Sequence, residues 1–369
     1  MENIGIHSEK KQEAVSAPAK RDSNSELYRI IFMILIVAHH YVVNSNLITN
    51  LFANPNGEFA WFYWIFGMWG KTGINCFVLI TGYFMCRSNI TVRKFVKLLG
   101  EVMFYNILFC LVFYLVGYGQ TNPKALLINL LPIISVAHDF VSCYLVFFLL
   151  IPFLNILIHN MNMKQHLLLT LLLVSVYSVL ATIPNTRVVC NYVTWFGVLY
   201  LIASYIRIYG VSMKGDKEPK WGLWFLLSLA ASIASVFGML WLEKKIGKTG
   251  LQYWFVADSN HILALTTSVC AFMWFKGLKI GYVPLINKIG ASTFGVFLIH
   301  ANSNNMRQWL WNDTVDCAGH YSQPLYAVAA VLIIFTACIL LDMLRIKFVE
   351  KPFFRIYDKK MTDIANRKR

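Results

Sequence analysis

Long apolar runs recur along the chain, each near the roughly 20 residues that a helix needs to cross a bilayer, with short polar stretches between them. The period-two alternation that a membrane β-barrel requires is absent from these runs. The pattern predicts an all-α membrane protein of about ten transmembrane helices with both termini cytoplasmic. The spans are expected at Leu27–Val43, Trp61–Phe84, Leu98–Tyr118, Phe140–Ile158, Leu167–Ile183, Tyr192–Tyr209, Gly222–Leu242, Phe255–Phe275, Ile289–Ala301 and Leu325–Leu344. A further apolar piece, Ala125–Val136, is interrupted by Pro132 and is too short to span, which predicts a re-entrant or surface-lying segment. Pro152 is expected to kink the fourth span.

The polar residues 1–25 read as a disordered cytoplasmic tail, 26–357 as one membrane domain and 358–369 as a basic cytoplasmic tail. No cleavable signal peptide is expected, because polar residues precede the first apolar run. No internal repeat and no appended soluble catalytic domain is evident.

Composition agrees with the pattern. The 369 residues are 57% hydrophobic and 14% charged, against about 25% charged in soluble domains. The net charge of +15 raises the question of a nucleic-acid partner, but its distribution answers it. Walking the predicted spans in order places all but seven of the 33 Lys and Arg on one side. The seven are Lys71, Lys124, Arg187, Lys244, Lys245, Lys248 and Arg307. Such asymmetry is the positive-inside signature and needs no nucleic acid. The eight cysteines form no CxxC or Cys/His metal spacing, and most read as small buried hydrophobes. Cys190 and Cys317 fall on the same outer side, but a disulfide pairing cannot be read from sequence.

Ionisable residues break the first span. It carries Glu26 and Arg29 at one end and His39 and His40 near the other. Arg29 and His40 are eleven positions apart. At about 100° per residue that is three turns plus about 20°, so they share a face, roughly 16 Å apart along the axis. His39 lies about 80° away from that face. Ionisable groups inside a spanning helix are costly and usually face protein or a wet cavity, which makes this helix one wall of a candidate site. The bland alternative is an arginine that snorkels to the headgroups and interfacial histidines. Lys71 and Asn75 in the second span are expected to face inward for the same reason.

Arg29, ten residues, then His40-Tyr41 resembles the first-helix R-x10-H signature of the acyltransferase-3 family of integral-membrane acyltransferases. Four more stretches resemble that family in order: GINCFVLITGYFMCRSNITVRKFVKL, DFVSCYLVFFLLIPFLNILI, INKIGASTFGVFLIH and VEKPFFRIYDK. The resemblance implies transfer of an acyl group, most often acetyl, from cytoplasmic acyl-CoA (acetyl-CoA first) to a sugar hydroxyl of a surface or exported polysaccharide. Acyl-CoA is then a co-substrate and no bound cofactor is expected. Some relatives carry a second, hydrolase-like domain. This chain is expected to transfer directly or to hand the acyl group to a partner, such as polysaccharide-synthesis machinery.

In that reading His40 is the general base, because imidazole can be neutral near pH 7 and take the proton of an attacking hydroxyl. A transient acyl-histidine is the variant. Arg29 is the donor's phosphate clamp, with Arg93, Lys94 and Lys97 beside the anionic nucleotide end; plain positive-inside topology is their competing explanation. His300 is expected to orient the acceptor or polarise the carbonyl, or else simply to bond to backbone at a helix end. Asn260, His261 and Asp258 are candidates for the acceptor entrance, with helix capping the alternative for Asp258 and Asn260. Glu26, at i,i+3, is a candidate partner of Arg29, and Glu101 a second. Glu350 is expected to be a salt-bridged tail residue. Arg29 and His40 are expected to line one water-filled tunnel.

The location implied is a bacterial cell membrane. The main alternative is a transporter or flippase for a lipid-linked sugar, which would more often show internal repeats and paired broken helices. A scaffold that only binds a synthase is a third reading, and it would not need Arg29 and His40 on one face.

Overall fold

The first helix, α1 (Ser23–Val43), starts earlier than its apolar run because Asp22 caps it, accepting from the Ser25 N–H and, at 2.7 Å, from the Ser25 hydroxyl. Its first turn therefore lies inside the stretch read as tail. The computed structural model describes residues 22–119, 132, 140–186, 188–211 and 219–367. Expectations for residues 1–21, for Arg187, and for Ala125–Val136 (Pro132 apart) with the flanking His138 and Asp139 lie outside that set.

Among the described residues the chain is all-helical, and seven helices are long and apolar enough to cross a membrane. They are α1, α5 (Val92–Leu115), α6 (Phe140–Asn160), α7 (Met163–Val174, continuing as a π-helix to Leu180), α8 (Tyr192–Tyr209), α9 (Trp221–Ile246) and α14 (Pro324–Arg345, continuing to Arg367). Between them lie α2 (Leu47–Ala53), α3 (Ala60–Gly67), α4 (Gly70–Met85), α10 (Ile262–Gly277), α11 (Pro284–Gly290), α12 (Thr293–His300) and α13 (Asn304–Gln308). After α14 a short π-helical turn, Ile346–Glu350, leads into α15 (Lys351–Arg367), one helix across the expected tail boundary at 357.

Helix α1 is the central post. It touches α3, α4, α10, α11, α12 and α14. Tyr28 and Phe32 enter one core cluster, with α4, α6, α8 and α10, while Met33, Ile36, Val37 and Tyr41 enter the other, with α3, α12 and α14. A glycine seam lets α3 and α4 come close to it. A Cβ on Gly67 would meet the Val42 side chain at 2.9 Å, one on Gly73 would meet Ile36 at 2.5 Å, and one on Gly70 would run into the His39 ring. Small residues at such spacing are how membrane helices approach closely.

Two expected spans are each broken in the middle. Trp61–Phe84 is α3 plus α4, interrupted at Met68-Trp69; the carbonyl freed at Gly67 accepts from His39 Nδ1 at 2.5 Å. Ile289–Ala301 is the end of α11 plus α12, with Ala291-Ser292 in a turn. The span expected to begin at Phe255 begins at Ile262, because residues 251–261 fold as successive turns. All eight cysteines are free thiols.

Candidate active site

Positions 29, 33, 36 and 40 of α1 form one stripe at helical spacing. Arg29, Met33 and Ile36 line a cavity of about 210 Å³ that is closed by α4, α5, α6 and α12. His40 lies one turn further along the same face. Its ring sits 6.1 Å from that of Phe297, which itself lines the cavity. The shared face expected from spacing is therefore present. The continuous tunnel is not: among the described residues the cavity stops short of His40, and the rings of Phe140 and Phe297, 5.0 Å apart, line its end.

His40 meets His300, the last residue of α12. His40 Nδ1 is 2.8 Å from His300 Nε2, and His300 Nδ1 is 2.6 Å from the Val296 carbonyl oxygen. A carbonyl only accepts, so His300 Nδ1 carries a proton. In the neutral ring Nε2 is then an acceptor, and His40 Nδ1 must donate to it. That leaves the lone pair of a neutral His40 on Nε2. Of the two expectations for His300 the backbone bond at the helix end is present, and the contact of its other nitrogen with His40 lies outside both. His39, bonded to the Gly67 carbonyl, belongs to the seam.

At the other end of the stripe Arg29 Nη1 donates to both oxygens of Glu26, at 3.2 and 3.4 Å, which is the i,i+3 pair expected. Glu101 lines the same cavity but pairs with Arg345 (3.1 Å) rather than Arg29. The reason is a charged cluster that the apolar reading of the last span concealed. Arg345 Nε donates to Asp342 at 2.8 Å and Nη1 to Glu350 at 3.0 Å, while Tyr105 donates to Asp342 at 2.9 Å. Asp342 is fully buried, and Gly295 makes room for its carboxyl. Glu350 also binds Lys97 at 2.6 Å, so its expected salt bridge is found.

The three inner-loop cations separate. Lys97 lines the Arg29 cavity. Arg93 is held by both oxygens of Asp358, at 2.8 and 2.9 Å, and lies over the Phe354 ring. Lys94 folds back on its own loop, donating to Ser88 and the Asn89 carbonyl. Thr81 and Tyr144, which nothing in the sequence marked, also line the cavity. Thr81 donates to the Phe77 carbonyl, so at 2.9 Å Tyr144 donates to Thr81.

Asn260, His261 and Asp258 line a second, polar cavity of about 430 Å³ together with Lys71, Asn191 and Tyr192. Lys71 donates to Tyr192 at 2.8 Å and faces Asp258 at 3.9 Å. Asn260 donates to the Tyr177 carbonyl and does not cap α10. Asn75 is fully buried, as expected, between the Ser259 carbonyl and Trp195 Nε1. Phe140 touches Tyr192 of this cavity and Phe297 of the other. Phe140 and Phe297 thus stand between the two cavities, with His40 beside Phe297.

No curated protein and no solved structure matches the chain. The family model described as an acyltransferase domain, acyltransferase-3, matches residues 23–343. That segment opens at the first residue of α1, includes both cavities and the histidine pair, and closes one residue after the buried Asp342 of α14. With most of its length in one family match and seven helices able to cross a bilayer, this chain belongs to the acyltransferase-3 family and is a membrane acyltransferase.

Proposed function

We propose that the chain moves an acyl group, acetyl in the first instance, from cytoplasmic acyl-CoA to a sugar hydroxyl of a cell-surface or exported polysaccharide. We read ten passes through the cell membrane, with both termini cytoplasmic. Seven are the long helices, and three are α3 with α4, α10, and α11 with α12. The basic end of the bundle then faces the cytoplasm.

Donor and acceptor enter from opposite sides. The pantetheine arm lies in the Arg29 cavity, with Arg29 and Lys97 on its phosphates; Arg93 and Lys94 add to the positive potential at the mouth. The sugar enters by the polar cavity at Lys71 and Asn260. His40 Nε2 takes the hydroxyl proton as the oxygen attacks the thioester carbonyl. The C–O bond forms, the C–S bond breaks, and the proton on His40 passes to the leaving thiolate. His300 holds the tautomer and the ring, and its lone pair steadies the imidazolium while it exists. Phe140 and Phe297 must turn aside for the two substrates to meet.

The observation that supports this reading above others is the His40–His300–Val296 chain, which leaves one nitrogen of His40 free for base chemistry. The test is incubation of purified protein with radiolabelled acetyl coenzyme A and candidate glycans. Label on a glycan, or thioester hydrolysis, is the result expected. Uptake of a lipid-linked sugar into vesicles, with neither, would make the protein a transporter.

A further inference from the structure

We propose that a lysine-rimmed cavity between the α11–α12 turn and the end of α14 binds the phosphate of an anionic phospholipid. The cavity measures about 640 Å³ and lies at the basic end of the bundle. Lys288, Lys347 and Lys351 stand around it. Three other cations at that end are paired with carboxylates: Arg29 with Glu26, Lys97 with Glu350 and Arg345 with three of them. Among the described residues none of the three lysines has a carboxylate partner; Lys347 lies over the Phe348 ring, 5.0 Å away. Three like charges around one cavity repel one another, and an anion between them relieves that repulsion.

The remaining wall identifies the kind of anion. It is apolar, and it includes Leu340 and Leu344, which are 57% and 51% exposed on α14. The opening therefore lies on the face that a bilayer covers. A cationic rim beside an open apolar flank fits a phosphate that carries acyl chains. Ser292 also lines the cavity; it is fully buried, and its Oγ has no hydrogen-bond partner. A phosphate oxygen would satisfy it. Lys347 and Lys351 lie beyond residue 343, outside the family match, so this site is not a property read from the family.

Ala291 lines both this cavity and that of Arg29, which makes the phosphates of coenzyme A the competing occupant. The test uses the full chain in neutral detergent, with native mass spectrometry and thermal unfolding. The additions are phosphatidylglycerol, phosphatidylcholine, diacylglycerol or coenzyme A. Wild type is expected to retain phosphatidylglycerol and to be stabilised by it over the other two lipids. The variant Lys288→Gln/Lys347→Gln/Lys351→Gln should bind it on the order of 100-fold more weakly, at about fivefold per lysine. The corresponding triple arginine variant should bind it as wild type does. Equal retention of phosphatidylcholine or diacylglycerol by wild type would overturn the proposal. So would undiminished phosphatidylglycerol binding by the glutamine variant, or displacement of the lipid by coenzyme A, which would assign the cavity to the donor.

Discussion

His40 and His300 stand 260 positions apart in the chain and 2.8 Å apart in the fold, with the Val296 carbonyl fixing which of their nitrogens carry protons. If His40 is the base, His300 acts through it. His40→Ala should then abolish transfer at an unchanged level of protein in the membrane. His300→Ala should lower kcat by on the order of 10²-fold, within the range of acid–base contributions, with little change in KM. His300→Gln can still accept from His40 Nδ1 through its carbonyl oxygen, and should recover part of the loss. A His300→Ala variant with wild-type kcat would remove the pair from the chemistry.

Gly70 should not tolerate a side chain. A Cβ there would enter the His39 ring, and that ring is held by its bond to Gly67. Gly70→Ala should destabilise by about 1–3 kcal/mol, the usual cost of overpacking. It should also displace the neighbouring His40 and so reduce activity more than stability. Gly100→Ala is the control, since a Cβ at Gly100 meets nothing within 4 Å. Thermal unfolding in detergent and initial rates of acetyl transfer would measure both.

What could be read from the sequence follows the range of the interactions. The stripe of Arg29 and His40 obeys a period internal to one helix, so spacing alone located it, and the Glu26–Arg29 pair is equally local. The seam of Gly67, Gly70 and Gly73 was also there to be read, at intervals of three, and its conformity to helix packing explains why α1 sits where it does. The break in Trp61–Phe84 is met by a partner outside it: nothing within that span says that His39 takes the Gly67 carbonyl. Asp342 and Arg345 escaped notice because they close an otherwise apolar run, and their partners Glu101 and Tyr105 come from a helix more than 200 residues earlier. The histidine pair escaped for the same reason. Each of its members was visible, and their meeting was not.

That cluster predicts a large stability effect. Arg345 is buried and contacts Glu101, Asp342 and Glu350. Arg345→Met should cost about 3–5 kcal/mol, because it strands the fully buried Asp342, whose one cationic partner among the described residues it is. Chemical or thermal unfolding would show it, and activity at low temperature should fall less than stability does. A variant as stable as wild type would mean that the carboxylates are already protonated or hydrated.

Arg29 is the donor clamp in the proposed reaction. Its Nη1 is engaged by Glu26, which leaves the rest of the guanidinium fork toward the cavity. Lysine keeps the charge but cannot reproduce the fork. Arg29→Lys should therefore raise the KM for acetyl coenzyme A by roughly tenfold or more, the scale of one charge-assisted bond, with a smaller effect on the KM for the glycan. If both Michaelis constants rise equally, Arg29 supports the fold of the site and does not grip the donor.

Phe297 touches His40 and Phe140, and in the proposed reaction it separates the donor and acceptor routes. The partition has a chemical consequence. In the proposed reaction the ring, while in place, would shield a bound thioester from water entering by the Lys71 cavity, and only an acceptor that displaces the ring would reach it. Phe297→Ala removes the shield. It should raise thioester hydrolysis in the absence of glycan while lowering transfer to glycan, so that the ratio of hydrolysis to transfer rises by an order of magnitude or so at similar total turnover of the base. Phe297→Leu, which keeps most of the bulk, should lie between the two. Release of free coenzyme A followed with a thiol reagent, beside label appearing on the glycan, gives that ratio directly. An Ala variant with both rates reduced in step would show instead that Phe297 positions His40, and that the route is closed elsewhere.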